Sequence, residues 1–202
     1  MTEILKNFWV LEGLDGAGTT TQLKNIAAEL NRRNIPSFAT CEPTEYETGV
    51  FLRRILRGEI KIPQSSIAHM FSTDRDNHLN NSEYGILKHI KDGEIVISDR
   101  YFFSSFAYQS IGFDYEKVKL LNSLFPYPEK VIYLDTPPEE CIKRIENRGS
   151  SKEIFEKLEY QKQVRENYET CFRELPAGCT LIKIDGTLSK EEITAKLIDN
   201  LF

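Results

Sequence analysis

Long apolar runs are missing from this chain of 202 residues. The longest stretches without a polar side chain are only a few residues, as at 8–11, far from the roughly 18 that a membrane span requires. Residues 1–6 hold no basic segment followed by an apolar one, so no secretion signal is expected and a cytoplasmic location is. Cysteine is scarce and unpatterned. Cys41, Cys141, Cys171 and Cys179 have no CxxC spacing, which favours reduced, mostly structural thiols. His69, His78 and His89 are too far apart for an HExxH-type site, and no transition-metal centre is expected. Basic residues are not in excess: 26 Lys and Arg against 31 Asp and Glu leave a formal charge of −5. That balance excludes a broad electrostatic grip on nucleic acid while allowing a local basic pocket for phosphate. No repeat or low-complexity tract is present, and 40% apolar with 28% charged residues is an ordinary globular mixture. The length fits one domain, 1–202, able to bury a core without disulfides or metal.

What the chain does have is a series of short apolar segments that end in acids. Phe8-Trp9-Val10-Leu11 meets Glu12, Ile95-Val96-Ile97-Ser98 meets Asp99, Val131-Ile132-Tyr133-Leu134 meets Asp135, and Leu181-Ile182-Lys183-Ile184 meets Asp185. Short β-branched runs bounded by breakers predict buried strands. Helical spacing falls between them. Leu23, Ile26, Ala27 and Leu30 share one face. A second helix is expected to start at Pro137-Pro138 and stop near Gly149, a third to run from about Glu153 to Glu174, and a last one to carry Ile193, Leu197 and Leu201. Alternating strands and helices predict an α/β fold with a parallel sheet flanked by helices. Ligands of such sheets bind beyond the carboxyl ends of the strands, where these acids gather.

The sharpest motif is Gly13-Leu14-Asp15-Gly16-Ala17-Gly18-Thr19-Thr20, followed by Thr21. It matches GxxxxGK[ST] except that Thr19 stands in the lysine position. An apolar strand precedes it and an amphipathic helix follows, the context in which backbone N–H groups and a helix N-terminus surround phosphate. Residues 13–21 are therefore the candidate phosphate-binding loop, with the Thr20 hydroxyl placed to reach Mg²⁺. A dinucleotide fingerprint fails because position 21 is threonine, and no NKxD-type guanine-reading motif is present. The missing lysine matters: a unit charge about 4 Å from a phosphate is worth roughly 4 kcal/mol at an effective dielectric of 20. Uncompensated in a transition state, that is on the order of a thousandfold in rate. Arg144, Arg148 and Lys152, around Gly149-Ser150-Ser151, read as a mobile basic flap over about residues 144–156. The local alternative is that Glu140 and Arg144 are an ordinary i,i+4 surface pair.

Taken in order, Glu12 to Gly18, Thr20-Thr21-Gln22, Glu42-Pro43, Met70-Phe71 with Arg75, Asp99-Arg100-Tyr101, Ser104, Ala107-Tyr108-Gln109, Tyr133-Leu134-Asp135 and Val164-Arg165 with Tyr168 resemble the thymidylate kinase family over essentially the whole chain. The resemblance implies a three-layer P-loop fold and an enzyme that moves the γ-phosphoryl group of Mg²⁺-ATP onto dTMP. It also implies a homodimer and the following site. Asp15 lies beside the acceptor 3′-hydroxyl. Phe71 stacks on thymine, Arg75 donates to the base, and Arg100 grips the acceptor phosphate. Tyr108 lies under the sugar, Ser104, Ser105 and Gln109 face base and sugar, and Glu42 with Pro43 closes over the acceptor. Asp99 either holds Arg100 or orders Mg²⁺ through water. As local alternatives, Arg75 has Asp74 and Asp76 within reach as ion-pair partners, and Phe71 and Tyr108 could be core residues.

The chain departs from the family at Thr19 and at Cys41, where many bacterial members carry arginine. Ala17 is small, as in members whose catalytic cation sits on the flap. Arg148, and after it Lys152, are the expected replacements, since a guanidinium can bridge two phosphate oxygens. Two other readings stay open: a kinase for another nucleoside monophosphate, and a nucleotide-binding protein with weakened catalysis.

Overall fold

The computed structural model describes residues 3–147 and 158–202. The first strand, β1 (Ile4–Gly13), is longer than its apolar run because Ile4 and Leu5 also pair, ahead of an irregularity at Asn7. Its second half is buried, as parallel strands covered on both faces must be. The chain then turns into α1 (Thr19–Arg32), whose Leu23, Ile26 and Leu30 face the core as their spacing predicts. Next come β2 (Ser37–Cys41), α2 (Glu47–Leu56), α3 (Gln64–Asn80) and α4 (Ile86–Lys91). The strand β3 (Ile95–Asp99) leads to α5 (Phe102–Tyr108), a short 3-10 turn at Gln109–Ile111 and α6 (Tyr115–Asn122). The chain closes with β4 (Tyr127–Asp135), α7 (Pro138–Asn147), α8 (Leu158–Phe172), β5 (Thr180–Asp185) and α9 (Lys190–Leu201). Ser189 and Glu192 cap α9 reciprocally.

All strand pairs are parallel, in the order β2-β3-β1-β4-β5. The α1 helix packs across β1, β2 and β3 beside α9, and α5 packs on β1 beside α8. The result is the three-layer P-loop fold that the sequence predicts. Strand order reverses on either side of β1, so the crevice at its carboxyl end is the topological switch point. Register sets the site: Leu11 pairs with Asp99, and Asp99 with Cys41, so the loop after β1, the Asp99-Arg100 pair and Glu42-Pro43 emerge side by side.

Two expected helices are described in part. The helix expected from Pro137-Pro138 is described from Pro138 to Asn147 with Arg144 in its last turn, as the spacing predicts, and its expected stop near Gly149 lies outside the described residues. The long helix is described from Leu158 to Phe172, and its proposed start at 153–157 lies outside the described residues. Arg148 and Lys152 lie there too. No helix among the described residues is long and apolar enough to cross a membrane.

Candidate active site

The loop from Gly13 to Thr20 is built as a phosphate cradle. Gly16 and Gly18 have φ of 93° and 105°, left-handed values that L side chains avoid. A Cβ on Gly13 would lie 2.9 Å from that of Ala17 and 3.3 Å from the Thr19 methyl, so the turn closes only on glycine. The first turn of α1 follows directly, with its positive end at the loop. Thr19 is buried, its methyl against Gly13, where a lysine would extend over the cradle. Among the described residues, two guanidinium groups touch the loop. Arg144 donates to the Ala17 carbonyl at 3.3 Å, to the Gly186 carbonyl at 2.9 Å and to Glu140 at 2.9 Å. It therefore ties α7 to the loop as well as forming its i,i+4 pair. Arg100 pairs with Asp15 at 2.5 Å.

Asp99 and Thr20 meet across the crevice, the Thr20 hydroxyl donating to Asp99 Oδ2 at 2.5 Å. Asp99 is buried and its Oδ1 has no partner among the described residues. A buried, unpaired carboxylate oxygen beside a hydroxyl fits a hard cation that takes oxygen ligands. Among the described residues no cluster of three His, Cys, Asp or Glu could hold a metal, so such an ion would complete its shell from phosphates and water.

Arg100 occupies the join between the two ends of the cleft. Its φ is +76°, strained for a side chain of this size and fixed by surrounding bonds. Its N–H donates to Leu11 O at 2.8 Å, and the Ser98 hydroxyl donates to its carbonyl at 2.6 Å. The guanidinium lies over the Tyr108 ring, 5.1 Å from its centroid, and donates to Ser104 Oγ at 3.1 Å. Asp15 N–H donates to the Tyr108 hydroxyl at 3.0 Å, drawing the loop to the same cluster. Beneath it lies Glu12, fully buried, whose pKa burial pushes up to about 7.

The far end of the cleft, around Glu42 and Phe71, is backed by a second polar network. Arg75, almost fully buried, donates through Nε and Nη2 to Glu42 Oε2 at 2.9 and 2.7 Å, to Ser105 Oγ at 3.2 Å and to Asn122 Oδ1. Its partner is thus Glu42, and neither of its sequence neighbours. Asp74 accepts from Thr44 N–H and from the Thr44 and Thr48 hydroxyls, and Asp76 accepts from Asn80. His78 bridges Glu42 Oε1 and the Thr40 hydroxyl at 3.1 and 2.7 Å.

One cleft of about 1080 Å³ joins these groups. Its wall includes Asp15, Gly16, Gly18, Thr19, Thr20 and Thr21 at one end, Asp99, Arg100, Ser104 and Tyr108 in the middle, and Glu42, Pro43, Phe71 and Gln109 at the other. Arg75 and Ser105 sit behind that wall. The sequence reading missed Arg53, which lines the cleft from α2 and donates to the Pro43 carbonyl and, at 3.5 Å, to Cys41 Sγ. It lies in no glycine-framed motif. The signal available was a cationic residue one helix after Glu42-Pro43, too common to single out.

A glycine-rich loop at a parallel-sheet switch point, a hydroxyl–carboxylate pair beside it and an arginine-lined cleft define a P-loop phosphotransferase. The thymidylate kinase family profile matches residues 11–197. A thymidylate kinase of Leptospira borgpetersenii is 37% identical over 196 residues, 95% of this chain and 91% of that protein. A Pyrococcus horikoshii protein named "Probable thymidylate kinase" is 40% identical over 167 residues, 80% of each chain. The chain belongs to the thymidylate kinase family, enzymes that phosphorylate dTMP with ATP.

Proposed function

We propose that this chain transfers the γ-phosphoryl group of ATP to dTMP, giving dTDP and ADP, with residues 13–21 around the donor phosphates and Arg100 on the acceptor phosphate. The observation that carries this reading is the single cleft running from the glycine cradle past Arg100 to Phe71 and Gln109. Phosphoryl transfer needs positioning and neutralisation of charge more than covalent chemistry. The acceptor is already an anionic oxygen, so no strong base is required. Arg100, planar and held from below, presents paired donors to a phosphate. Asp15 beside it would release Arg100 to the acceptor and take the sugar hydroxyl. Phe71 offers a flat apolar face to the base. Arg75 keeps one Nη1–H beyond its bonds to Glu42, Ser105 and Asn122, a donor for a base carbonyl. Tyr108 supports the sugar, and Gln109 and Ser104 line the same wall.

Thr20 and Asp99 would hold Mg²⁺, directly or through water. When bound, the ion would draw charge from the β- and γ-phosphate oxygens. Arg148 and Lys152 supply the cation that Thr19 lacks, Arg148 foremost. A cytoplasmic homodimer belongs to the same proposal.

The test is ADP release measured with dTMP, dUMP, dCMP or no acceptor. We expect turnover with dTMP to exceed that with dCMP and that without acceptor by at least about 100-fold, a few kcal/mol of transition-state discrimination. Saturable dTMP binding with no ADP formed in the presence of Mg²⁺-ATP would instead identify a nucleotide-binding protein that has lost catalysis.

A further inference from the structure

Glu12 lies outside the cleft wall, yet its carboxylate binds the two hydroxyls that face Arg100 Nη1 and the backbone next to Arg100. Oε1 accepts from Tyr101 N–H at 2.9 Å, fixing the backbone just after the strained Arg100. Oε2 accepts from the Ser104 hydroxyl at 2.6 Å and the Tyr168 hydroxyl at 2.8 Å. Those two oxygens lie 3.0 Å apart and both face Arg100 Nη1, at 3.1 and 3.4 Å. A hydroxyl has one proton, and a carboxylate only accepts. With both protons drawn to Glu12, Ser104 and Tyr168 can offer Arg100 only lone pairs, the polarity a guanidinium needs.

We infer that Glu12 is the positioning residue for Arg100, setting the hydroxyls of Ser104 and Tyr168 as acceptors so that the guanidinium is aimed at the acceptor phosphate. This inference rests on the reading of Arg100 given above. An amide in place of the carboxylate cannot do the same. With its NH₂ toward the hydroxyls, neither proton is drawn to residue 12, and each is free to turn to the other hydroxyl, to the Gly13 carbonyl 3.4 Å from Tyr168, or toward Arg100. With its NH₂ toward Tyr101, two N–H groups oppose each other. The charged and titratable groups around Glu12 are Arg100 after β3, Tyr168 and Cys171 on α8, and, beyond Arg100, Asp15 on the loop after β1. Only Arg100 is cationic, so the carboxylate and the guanidinium are mutually dependent.

Calorimetric binding of dTMP and of thymidine, which lacks the phosphate, separates this role from a structural one. In Glu12→Gln, dTMP should bind about 10-fold more weakly, the scale of a charge-assisted hydrogen bond, and thymidine within about twofold of the parent. In an Arg100→Ala background the Glu12→Gln change should add less than about twofold. Equal loss of both ligands, or fully multiplicative effects in the double variant, overturns the inference. If Glu12→Gln does not fold, Tyr168→Phe and Ser104→Ala take its place, and absence of dTMP-selective loss in both overturns it. The two failures are distinct: dTMP-selective loss in Arg100→Ala but not in Glu12→Gln removes only the role of Glu12. Arg100→Ala without such selectivity removes the reading of Arg100, and the role of Glu12 with it.

Discussion

Asp99 is the residue at which local chemistry and long-range placement meet. Strand pairing sets it opposite Leu11, and the first turn of α1 brings the Thr20 hydroxyl to one of its oxygens, leaving the other buried and unpaired. An amide there would offer a donor where a cation needs an oxygen. Asp99→Asn should therefore raise the Mg²⁺ concentration for half-maximal turnover by about 10-fold or more, with dTMP affinity in the absence of metal unchanged. An unshifted Mg²⁺ titration would show that Asp99 only orders its neighbours. Asp99-Arg100-Tyr101, like the loop glycines, was legible in the sequence because each is a run of residues adjacent in the chain, whereas the partner of Asp99, Thr20, is 79 residues away. Arg53 and the partners of Arg75 were not. The Arg75–Glu42 pair joins residues 33 apart, and nothing in local spacing favours Glu42 over Asp74 or Asp76.

Elements were legible where burial follows a period and illegible where function interrupts it. The strands β1, β3, β4 and β5 and the helices α1 and α9 show apolar runs or stripes that match their buried faces. The β2 edge strand is short and half-exposed, and its polar Thr40 serves His78, so no apolar run marks it. The buried face of α3 carries Asp74, Arg75 and His78 among Ile67, Phe71 and Leu79, which erases the stripe. The basic flap is legible in the sequence as composition alone. The cationic side chains bonded to the cradle or its Asp15, Arg144 and Arg100, are already committed to carbonyls and to a carboxylate. The proposal that residues 148–152, which follow α7 in the sequence, supply the charge that Thr19 lacks is tested at this scale. Arg148→Ala should lower kcat by about 100-fold and Lys152→Ala by less than about 10-fold, as expected for loss of a transition-state cation and of a neighbour to it. Lys24→Ala, at the cleft edge on α1, serves as the control and should keep parental kcat. Parental turnover in both flap variants would place the missing charge elsewhere.

At the scale of the whole molecule, the site burdens stability in a way that pH reveals. Carboxylates such as half-buried Glu29, held down at about 2 by Arg32 and Arg33, and exposed Asp185, lowered by Thr187, add stability that is lost as pH falls below the ordinary carboxylate range. Glu12 works in the opposite sense. Burial raises its pKa from 4.5 to about 7, so between those values the folded chain binds more protons than the unfolded one. Unfolding free energy must then decrease as pH rises through that window. Glu12's contribution is complete below about 4.5 and gone above about 7, on the order of 3 kcal/mol in all. The ionised form is the one that orients Ser104 and Tyr168 toward Arg100, so the fold is held most firmly where the acceptor site is least well polarised. This is the usual relation between a functional strain and the stability that offsets it. Urea midpoints at pH 5, 6.5 and 8 test the point. The parent should lose stability across that series, and Glu12→Gln, which cannot ionise, should lose much less of it. Parallel curves for the two proteins would mean that Glu12 titrates as an ordinary carboxylate, already charged at pH 5 despite its burial.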